Sequence, residues 1–217
     1  MFSTLKKSYL FIFDFLSPPN KKYLKIISIS PKNFIKIAKK INIAENFESF
    51  FSYKDAIIKD SLQLLKYDKK IDVGVLLGKV CSPFLEEKLE NWFMFENFDK
   101  PILLPIPISK NKMVERGFNQ SEIIAEEILK NLPEKMLEVN NKALKKIRET
   151  KNQALTKSKK ERLENLKDCF SVDENVVKNR NVIIFDDVIT TGATTEEARK
   201  VIQKAGAKKI KIVSLAH

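Results

Sequence analysis

Residues Val182–Thr194 read VIIFDDVITTGAT and decide the fold class of this 217-residue chain. Val182–Phe185 is a continuous apolar run, which is typical of a strand buried on both faces in a parallel sheet. A helix is predicted over Thr195–Lys204 and a second strand over Ile210–Ala216. This order predicts a βαβ unit whose loop, Asp186–Thr194, lies at the carboxyl end of the first strand, where open α/β sheets bind ligands.

The loop Asp186–Thr194 combines two chemistries that suit a sugar phosphate. The backbone N–H groups of a helix N-terminus bind phosphate. The adjacent carboxylates of Asp186 and Asp187 can accept hydrogen bonds from sugar hydroxyls, and both are candidate catalytic residues. An ordinary loop followed by a helix cap is the alternative. The candidates for binding the 5-phosphate of a ribose are Thr190, Thr191, Gly192, Ala193 and Thr194.

The chain before residue 182 is predicted to alternate helices with short apolar strands. Apolar residues at helical spacing indicate three helices in the first half of the chain. Asn119 is predicted to begin a further helix, with Glu122 at the spacing of a capping box. The predicted helices cover 55–67, 71–81 and 83–95, a short buried strand covers 103–105, and a polar loop covers 109–118.

The composition is basic, with 40 Lys and Arg residues, 28 Asp and Glu residues and a formal net charge of +12. Such a surface favours phosphates or nucleic acid as partners, and a solvated lysine-rich surface is the alternative. The densest positive charge lies in residues 142–162, which are predicted to form a mobile basic loop. A nucleic-acid contact and a solvated surface both stay open for this loop.

The sequence also excludes proteins built around a zinc site and proteins with a membrane-spanning helix. Two cysteines and one histidine are too few for a zinc site with four nitrogen and sulfur ligands. They also cannot build a disulfide scaffold, so we expect a cytoplasmic protein. No stretch approaches the ~18 apolar residues that a membrane-spanning helix requires.

The stretch that decides the fold class, Val182–Thr194, closely resembles the phosphoribosyl pyrophosphate motif of type I phosphoribosyltransferases; it is called the decisive stretch below. Leu104–Gln120 is similar to one signature of the ComF family, the competence-associated phosphoribosyltransferase-like proteins, and residues 144–170 resemble a second. Residues 53–67 resemble the helix before the family's core, so the resemblance covers about 53–217. The matching motif residues outside the decisive stretch include Phe118, Asn119, Gln120, Thr150, Gln153 and Asn165.

The resemblance implies an α/β phosphoribosyltransferase-like domain over 53–217, with a mostly parallel sheet and helices on both faces. Residues 1–52 would form an N-terminal segment that packs on this domain or extends from it, and they lack the cysteines for the zinc module of many relatives. The implied reaction transfers a 5-phosphoribosyl group with release of pyrophosphate, with Mg²⁺ bound through the ligand. The residues implied to face pyrophosphate are Lys110, Arg116, Gly117, Arg148 and Arg162. The resemblance also adds a third interpretation of residues 142–162, a lid that closes over bound pyrophosphate.

The resemblance leaves two classes of function open. Beside the transferase, a non-catalytic sensor of ribose phosphate or a single-stranded DNA-binding accessory protein of DNA uptake would need the same loop. The implied partners are a sugar phosphate and either single-stranded DNA or proteins of DNA uptake, and an oligomer is compatible with the sequence. Thr190 stands where purine-salvage relatives carry an aspartate that acts as base, so no side chain of the loop is an obvious general base.

Overall fold

A five-stranded parallel sheet lies at the centre of the computed structural model, which describes residues 20–41, 47–149 and 166–217. The strands are β1 (Glu48–Phe51), β2 (Ile102–Pro105), β3 (Glu138–Val139), β4 (Leu144–Lys146), β5 (Phe170–Val172), β6 (Asn181–Val188) and β7 (Lys209–Ala216). The large sheet has the order β1-β7-β6-β2-β3, and its neighbouring strands run parallel. Strands β4 and β5 form a separate antiparallel pair.

The apolar run in β6 is explained by the two cores that it joins. Val182 and Ile184 pack in the core on one face of the sheet, whereas Ile183 and Phe185 pack in the core on the other face. All four side chains are fully buried. Because side chains alternate along a strand, only a run without polar residues can satisfy both faces. The predicted α/β class with a mostly parallel sheet is confirmed.

Helices cover both faces of this sheet. They are α1 (Lys21–Ile27), α2 (Pro31–Ile37), α3 (Ala56–Lys66), α4 (Ile71–Glu96), α5 (Lys110–Arg116), α6 (Gln120–Asn131), α7 (Glu174–Val177) and α8 (Ala193–Lys204). The long helix α4 packs against α3 and α6. It approaches α6 so closely at Gly78 that an added Cβ would lie 2.5 Å from the Cβ of Glu127. Of the helices within 20–41, 47–149 and 166–217, none has both the length and the apolar character needed to cross a bilayer.

The two helices predicted over 71–81 and 83–95 are one continuous helix, α4. Pro83 lies inside it, although an internal proline removes a helix hydrogen bond and costs about 3 kcal/mol. Cys81 and Leu85, on either side of the proline, are fully buried. Burial of the apolar side chains of α4 offsets the cost of Pro83. A prediction that treats proline as the end of a helix does not take this burial into account.

The stretch 109–118, predicted to be a polar loop, contains the short helix α5. Ser109 is its N-cap, and its hydroxyl accepts a hydrogen bond from the N–H of Lys112 at 3.4 Å. Gly117 ends the helix with φ of 86°, a conformation that glycine adopts without strain. Helix α5 buries none of its residues. It therefore has no apolar stripe, which is the signal that the sequence analysis used to predict helices.

Residues 48–51, which the sequence analysis placed in the N-terminal segment, form the edge strand β1 of the central sheet. Strand β1 pairs with β7 through Glu48 opposite Val213 and Phe51 opposite Ala216. Ile26 of α1 and Phe34 of α2 are buried in the same core as Phe51. The described part of residues 1–52 therefore packs on the sheet as part of one core.

Candidate functional site

The two aspartates end a strand, which corrects the prediction that they begin a loop. Strand β6 continues to Val188, with Asp186 opposite Ser214 and Val188 opposite Ala216 of β7. The pairing persists because β7 offers a backbone partner up to Ala216. As part of the sheet, the aspartate backbones are held more rigidly than loop residues, and their side chains lie at the carboxyl edge of the sheet, as predicted.

The threonine-rich loop forms a small cradle between β6 and α8. Gly192 is the N-cap residue of α8 with φ of 73°, and it has no side chain that could cap the first N–H groups of the helix. The hydroxyl of Thr195 donates to the carbonyl of Gly192 at 3.0 Å and closes the turn. The cradle has a volume of about 40 Å³ and is lined by Asp186 and by Val188–Thr195. The predicted phosphate-binding residues Thr190, Thr191, Gly192, Ala193 and Thr194 all lie in this lining.

Ser121, in the first turn of α6, joins the two aspartates. Its hydroxyl donates to Asp186 Oδ1 at 3.1 Å and accepts from the backbone N–H of Asp187 at 3.2 Å. The same N–H of Asp187 lies 2.9 Å from Asp186 Oδ1. These contacts fix the orientation of the Asp186 carboxylate.

Lys66, the last residue of α3, supplies the counter-charge. Its Nζ lies 2.7 Å from Asp187 Oδ2, and the two side chains are only 19% and 10% exposed. Burial alone lowers the pKa of Lys66, but the charge of Asp187 and the hydrogen bond to it outweigh burial, so that the pKa lies above its ordinary value. Lys66 is therefore charged at neutral pH.

Asp186 behaves differently from its neighbour. Burial, followed by the negative charge of Asp187, raises the pKa of Asp186 to about 7, while Lys66 and the Ser121 hydroxyl act in the opposite direction. In the protein without ligand, Asp186 is therefore partly protonated at neutral pH. A carboxyl group near its pKa can both donate to and accept from the hydroxyl groups of a ligand.

A cleft of about 200 Å³ continues from the aspartates to a group of cations. Arg116 Nη1 donates to Gln120 Oε1 at 2.7 Å, and the guanidinium lies 5.9 Å from the ring centre of Tyr67. Lys112 remains exposed to solvent, but its partial desolvation in the cleft, together with the charges of Arg116 and Lys66, lowers its pKa. The charged residues that line the cleft are Lys66, Lys112, Arg116, Lys146, Asp186 and Asp187.

Of the residues predicted to face pyrophosphate, one lines the cleft, three lie elsewhere in the structure and one lies outside the described residues. Arg116 lines the cleft, but Lys110 is exposed outside its lining, and Lys112, two residues further along α5, lines it instead. Gly117 ends α5, and a Cβ added there would meet open space, so its role is conformational. Arg148 is exposed and donates to the carbonyl of Lys167 at 2.6 Å. Arg162 lies outside the described residues.

The predicted family motif at 118–120 positions α6. Asn119 Nδ2 donates to the carbonyl of Ile106 at 2.9 Å, and its Oδ1 accepts from the N–H of Ser121 at 3.1 Å. Asn119 is the N-cap, as predicted, although its oxygen bonds to Ser121 rather than to Glu122. Phe118 packs against the core, and Gln120 holds Arg116. Thr150, Gln153 and Asn165 lie outside the described residues.

Two site residues were missed by the sequence reasoning, Lys66 and Ser121. Lys66 follows the apolar stripe of α3 and resembles any lysine at a helix C-terminus, where cations are common. Ser121 resembles a polar residue in the first turn of a helix. The usable signal was indirect: two adjacent carboxylates at a buried strand end repel each other, and that cost favours a ligand or a cation beside them, but no local pattern shows which lysine supplies it.

The carboxylates do not form a resident metal site within the part of the chain that the structure describes. No group of three or more His, Cys, Asp or Glu side chains comes together there. Asp187, moreover, is already paired with Lys66. These residues fit a Mg²⁺ ion that arrives on a pyrophosphate better than one that the protein holds by itself.

Comparisons with known proteins agree with this geometry. The phosphoribosyl transferase domain family matches residues 119–217. Competence protein ComFC of Bacillus subtilis is 34% identical over 73% of this chain and 58% of its own length. The chain is a ComF-family protein with the type I phosphoribosyltransferase fold. The resemblance predicted from the sequence is thereby confirmed.

Two further curated relatives and one solved structure are similar to this chain over different lengths. Competence protein ComFC of Streptococcus pneumoniae is 28% identical over 81% of this chain and 70% of its own length. Competence protein F of Haemophilus influenzae is 34% identical over 52% of this chain, and the match spans about half (49%) of that protein. A solved hypoxanthine phosphoribosyltransferase from Staphylococcus aureus is 15% identical, with a TM-score of 0.36 over 64% of this chain and 61% of its own.

Proposed function

We propose that this ComF-family protein binds phosphoribosyl pyrophosphate and transfers its 5-phosphoribosyl group to an acceptor, with release of pyrophosphate. One observation carries the proposal: Asp186 lines both the threonine-rich cradle and the cation-lined cleft. A phosphate site and a pyrophosphate site thus meet at a pair of carboxylates. Phosphoribosyl pyrophosphate has the same order of groups, with a phosphate, a ribose diol and a pyrophosphate.

Each part of the ligand has a physical partner in this arrangement. The 5-phosphate accepts hydrogen bonds from the N–H groups at the start of α8 and from the threonine hydroxyls. The ribose hydroxyls donate to Asp186 and Asp187. The pyrophosphate lies toward Lys112 and Arg116, where fixed cations stabilise the charge that develops on it as the bond to ribose C1 breaks. Mg²⁺ bound to the pyrophosphate would neutralise part of the same charge.

The acceptor must bring its own nucleophilic lone pair into this cleft. Thr190 cannot act as a general base at neutral pH, since its hydroxyl has no accessible ionisation there. A nitrogen nucleophile that is neutral at pH 7 needs no such base before it attacks C1. We therefore propose acceptors of this class, which displace pyrophosphate and lose their proton afterwards to water.

A second candidate function is a non-catalytic one in DNA uptake. It is favoured by the names of the relatives, which are competence proteins, and by the net charge of +12. In this alternative, the site binds ribose phosphate as a signal, and basic residues contact single-stranded DNA or a protein of DNA uptake in the cytoplasm. Residues 142–162, only partly described, would then bind nucleic acid rather than close over pyrophosphate.

A screen for pyrophosphate release separates the two candidates. Purified protein is incubated with phosphoribosyl pyrophosphate, Mg²⁺ and a panel of nitrogen nucleophiles, and released pyrophosphate is measured. Acceptor-dependent release that disappears in the Asp186→Asn, Asp187→Asn double variant supports the transferase. Tight binding of phosphoribosyl pyrophosphate without release for any acceptor favours the sensor.

A further inference from the structure

Lys66 reaches the acid pair from outside the recognised transferase domain. The domain family matches residues 119–217, whereas Lys66 ends α3, before the long helix α4. Its Nζ lies 2.7 Å from Asp187 Oδ2. The carboxyl edge of β6 therefore has a cationic partner that lies outside the matched residues 119–217.

A pair of adjacent carboxylates needs such a partner in order to accept hydrogen bonds from a diol. Each carboxylate makes ionisation of the other less favourable, and burial adds to this effect. The charged groups that face the pair are Lys66 on α3 and the cations of the adjoining cleft, Lys112 and Arg116 on α5 and Lys146 on β4. Among the ion pairs formed by the described residues, the one that involves either aspartate is Lys66–Asp187.

A purely structural interpretation explains only part of this geometry. A lysine in the last turn of α3 complements the helix dipole, and that interaction needs no partner on β6. However, the Lys66 side chain is 19% exposed and is directed at Asp187, which is 10% exposed. A buried ion pair costs desolvation of both charges, so a lysine that served only the dipole would be more stable in water.

We propose that Lys66 is a positioning residue for ribose recognition, which supplies the counter-charge to Asp187 and orients its carboxylate so that both aspartates can accept hydrogen bonds from the ribose hydroxyls. The assignment rests on the proposed function. Lys66 itself need not touch the ligand. The helix before the domain thereby becomes part of the binding site.

The test compares Lys66→Met and Lys66→Arg with the wild type. The Kd for ribose 5-phosphate is measured by calorimetry from pH 6 to pH 9, and Lys22→Met is the control because Lys22 makes an exposed ion pair with Asp60 away from the cleft. At pH 7 we expect Lys66→Met to bind about tenfold more weakly or worse, the factor that corresponds to one pKa unit. Its affinity should recover toward pH 9 as Asp186 loses its proton. Lys66→Arg and Lys22→Met should stay within about threefold of the wild type.

A second readout is independent of ligand. Carbon-detected NMR titration of the aspartate carboxyl groups should show that Lys66→Met moves the upper titration of the pair to higher pH, since Lys66 holds the pKa of Asp186 down. If Lys66→Met does not fold, Lys66→Gln, which can hydrogen-bond but carries no charge, replaces it. A wild type that binds ribose 5-phosphate, with an unchanged Kd and pH profile in the folded Lys66 variant, overturns the role of Lys66 alone. A wild type that binds neither ribose 5-phosphate nor phosphoribosyl pyrophosphate overturns the proposed function, and this assignment with it.

Discussion

Ser121 Oγ lies 3.1 Å from Asp186 Oδ1 and donates a hydrogen bond to it. This contact connects the start of α6 to the end of β6. Because Asn119 fixes that start through the carbonyl of Ile106, the family motif at 118–120 positions the Ser121 hydroxyl against Asp186. The geometry of the proposed ribose site at the end of β6 therefore depends on Asn119, the N-cap of α6.

The raised pKa of Asp186 predicts a pH dependence of stability. With a folded pKa of about 7 and an ordinary value of 3.8, the folded protein binds more protons than the unfolded chain between about pH 4 and 7. The contribution of Asp186 to the free energy of unfolding should therefore fall as pH rises through this range. Asp186→Asn removes that contribution. The stability of the variant relative to the wild type should rise by up to about 4 kcal/mol between pH 4 and 7, since one pKa unit corresponds to about 1.36 kcal/mol.

Urea denaturation at several pH values measures this difference directly. Parallel stability curves for Asp186→Asn and the wild type between pH 4 and 7 would show that Asp186 titrates normally, and the prediction would be wrong.

The cation-lined cleft predicts selective loss of pyrophosphate affinity. Lys112→Ala and Arg116→Ala should each weaken phosphoribosyl pyrophosphate binding by roughly 1.5–3 kcal/mol, the range for a charge-assisted hydrogen bond. Ribose 5-phosphate, which lacks the pyrophosphate, should bind nearly as before. Lys110→Ala is the matched control, since Lys110 lies on the same helix outside the cleft. An equal loss for both ligands, or the same loss in Lys110→Ala, would argue against a pyrophosphate site here.

Gly192 should matter for phosphate more than for folding. Gly192→Ala places a side chain at φ of 73°, which costs roughly 1 kcal/mol, and it displaces the first N–H groups of α8. Gly206 has φ of 86° and lies far along the chain from the cradle, after α8, so Gly206→Ala provides the same kind of strain as a control. Thermal unfolding and ribose 5-phosphate affinity are measured for both variants. We expect similar destabilisation in both and a large loss of affinity in Gly192→Ala alone; equal affinities would contradict the cradle assignment.

Much of the fold, but only part of the site, could be predicted from the sequence. The apolar run of β6, the helix after it and the threonine-rich loop could be predicted because each follows from local periodicity and backbone chemistry. Helix α5 could not be predicted from periodicity, since it buries no residue. Its signals were the caps, Ser109 at the start and Gly117 at the end.

The contribution of Lys66 depends on tertiary packing, which no local pattern contains. Its partner, Asp187, lies far along the chain, and the two meet only because α3 packs at the carboxyl edge of β6. The same reason explains why α4 continues through Pro83. Helix α4 packs against both α3 and α6, and this burial outweighs the tendency of proline to end a helix.

Zinc should be absent from the purified protein. Cys81 lies in the core on one face of the sheet and Cys169 in the core on the other face, so the two cysteines cannot share a tetrahedral site with the one histidine of the chain. Elemental analysis should find no stoichiometric zinc, and a chelator should leave the thermal unfolding temperature unchanged. One tightly bound zinc per chain would contradict this expectation.

The central claim is that the aspartates at the end of β6 recognise the ribose of phosphoribosyl pyrophosphate. Its most direct test is calorimetry with phosphoribosyl pyrophosphate and Mg²⁺ on the wild type and on the Asp186→Asn, Asp187→Asn double variant, with circular dichroism to check that both are folded. We predict one binding event in the wild type and an affinity weakened by about 100-fold or more in the folded double variant, from two lost charge-assisted hydrogen bonds of roughly 1.5–3 kcal/mol each. Equal affinity in the two proteins would contradict the account.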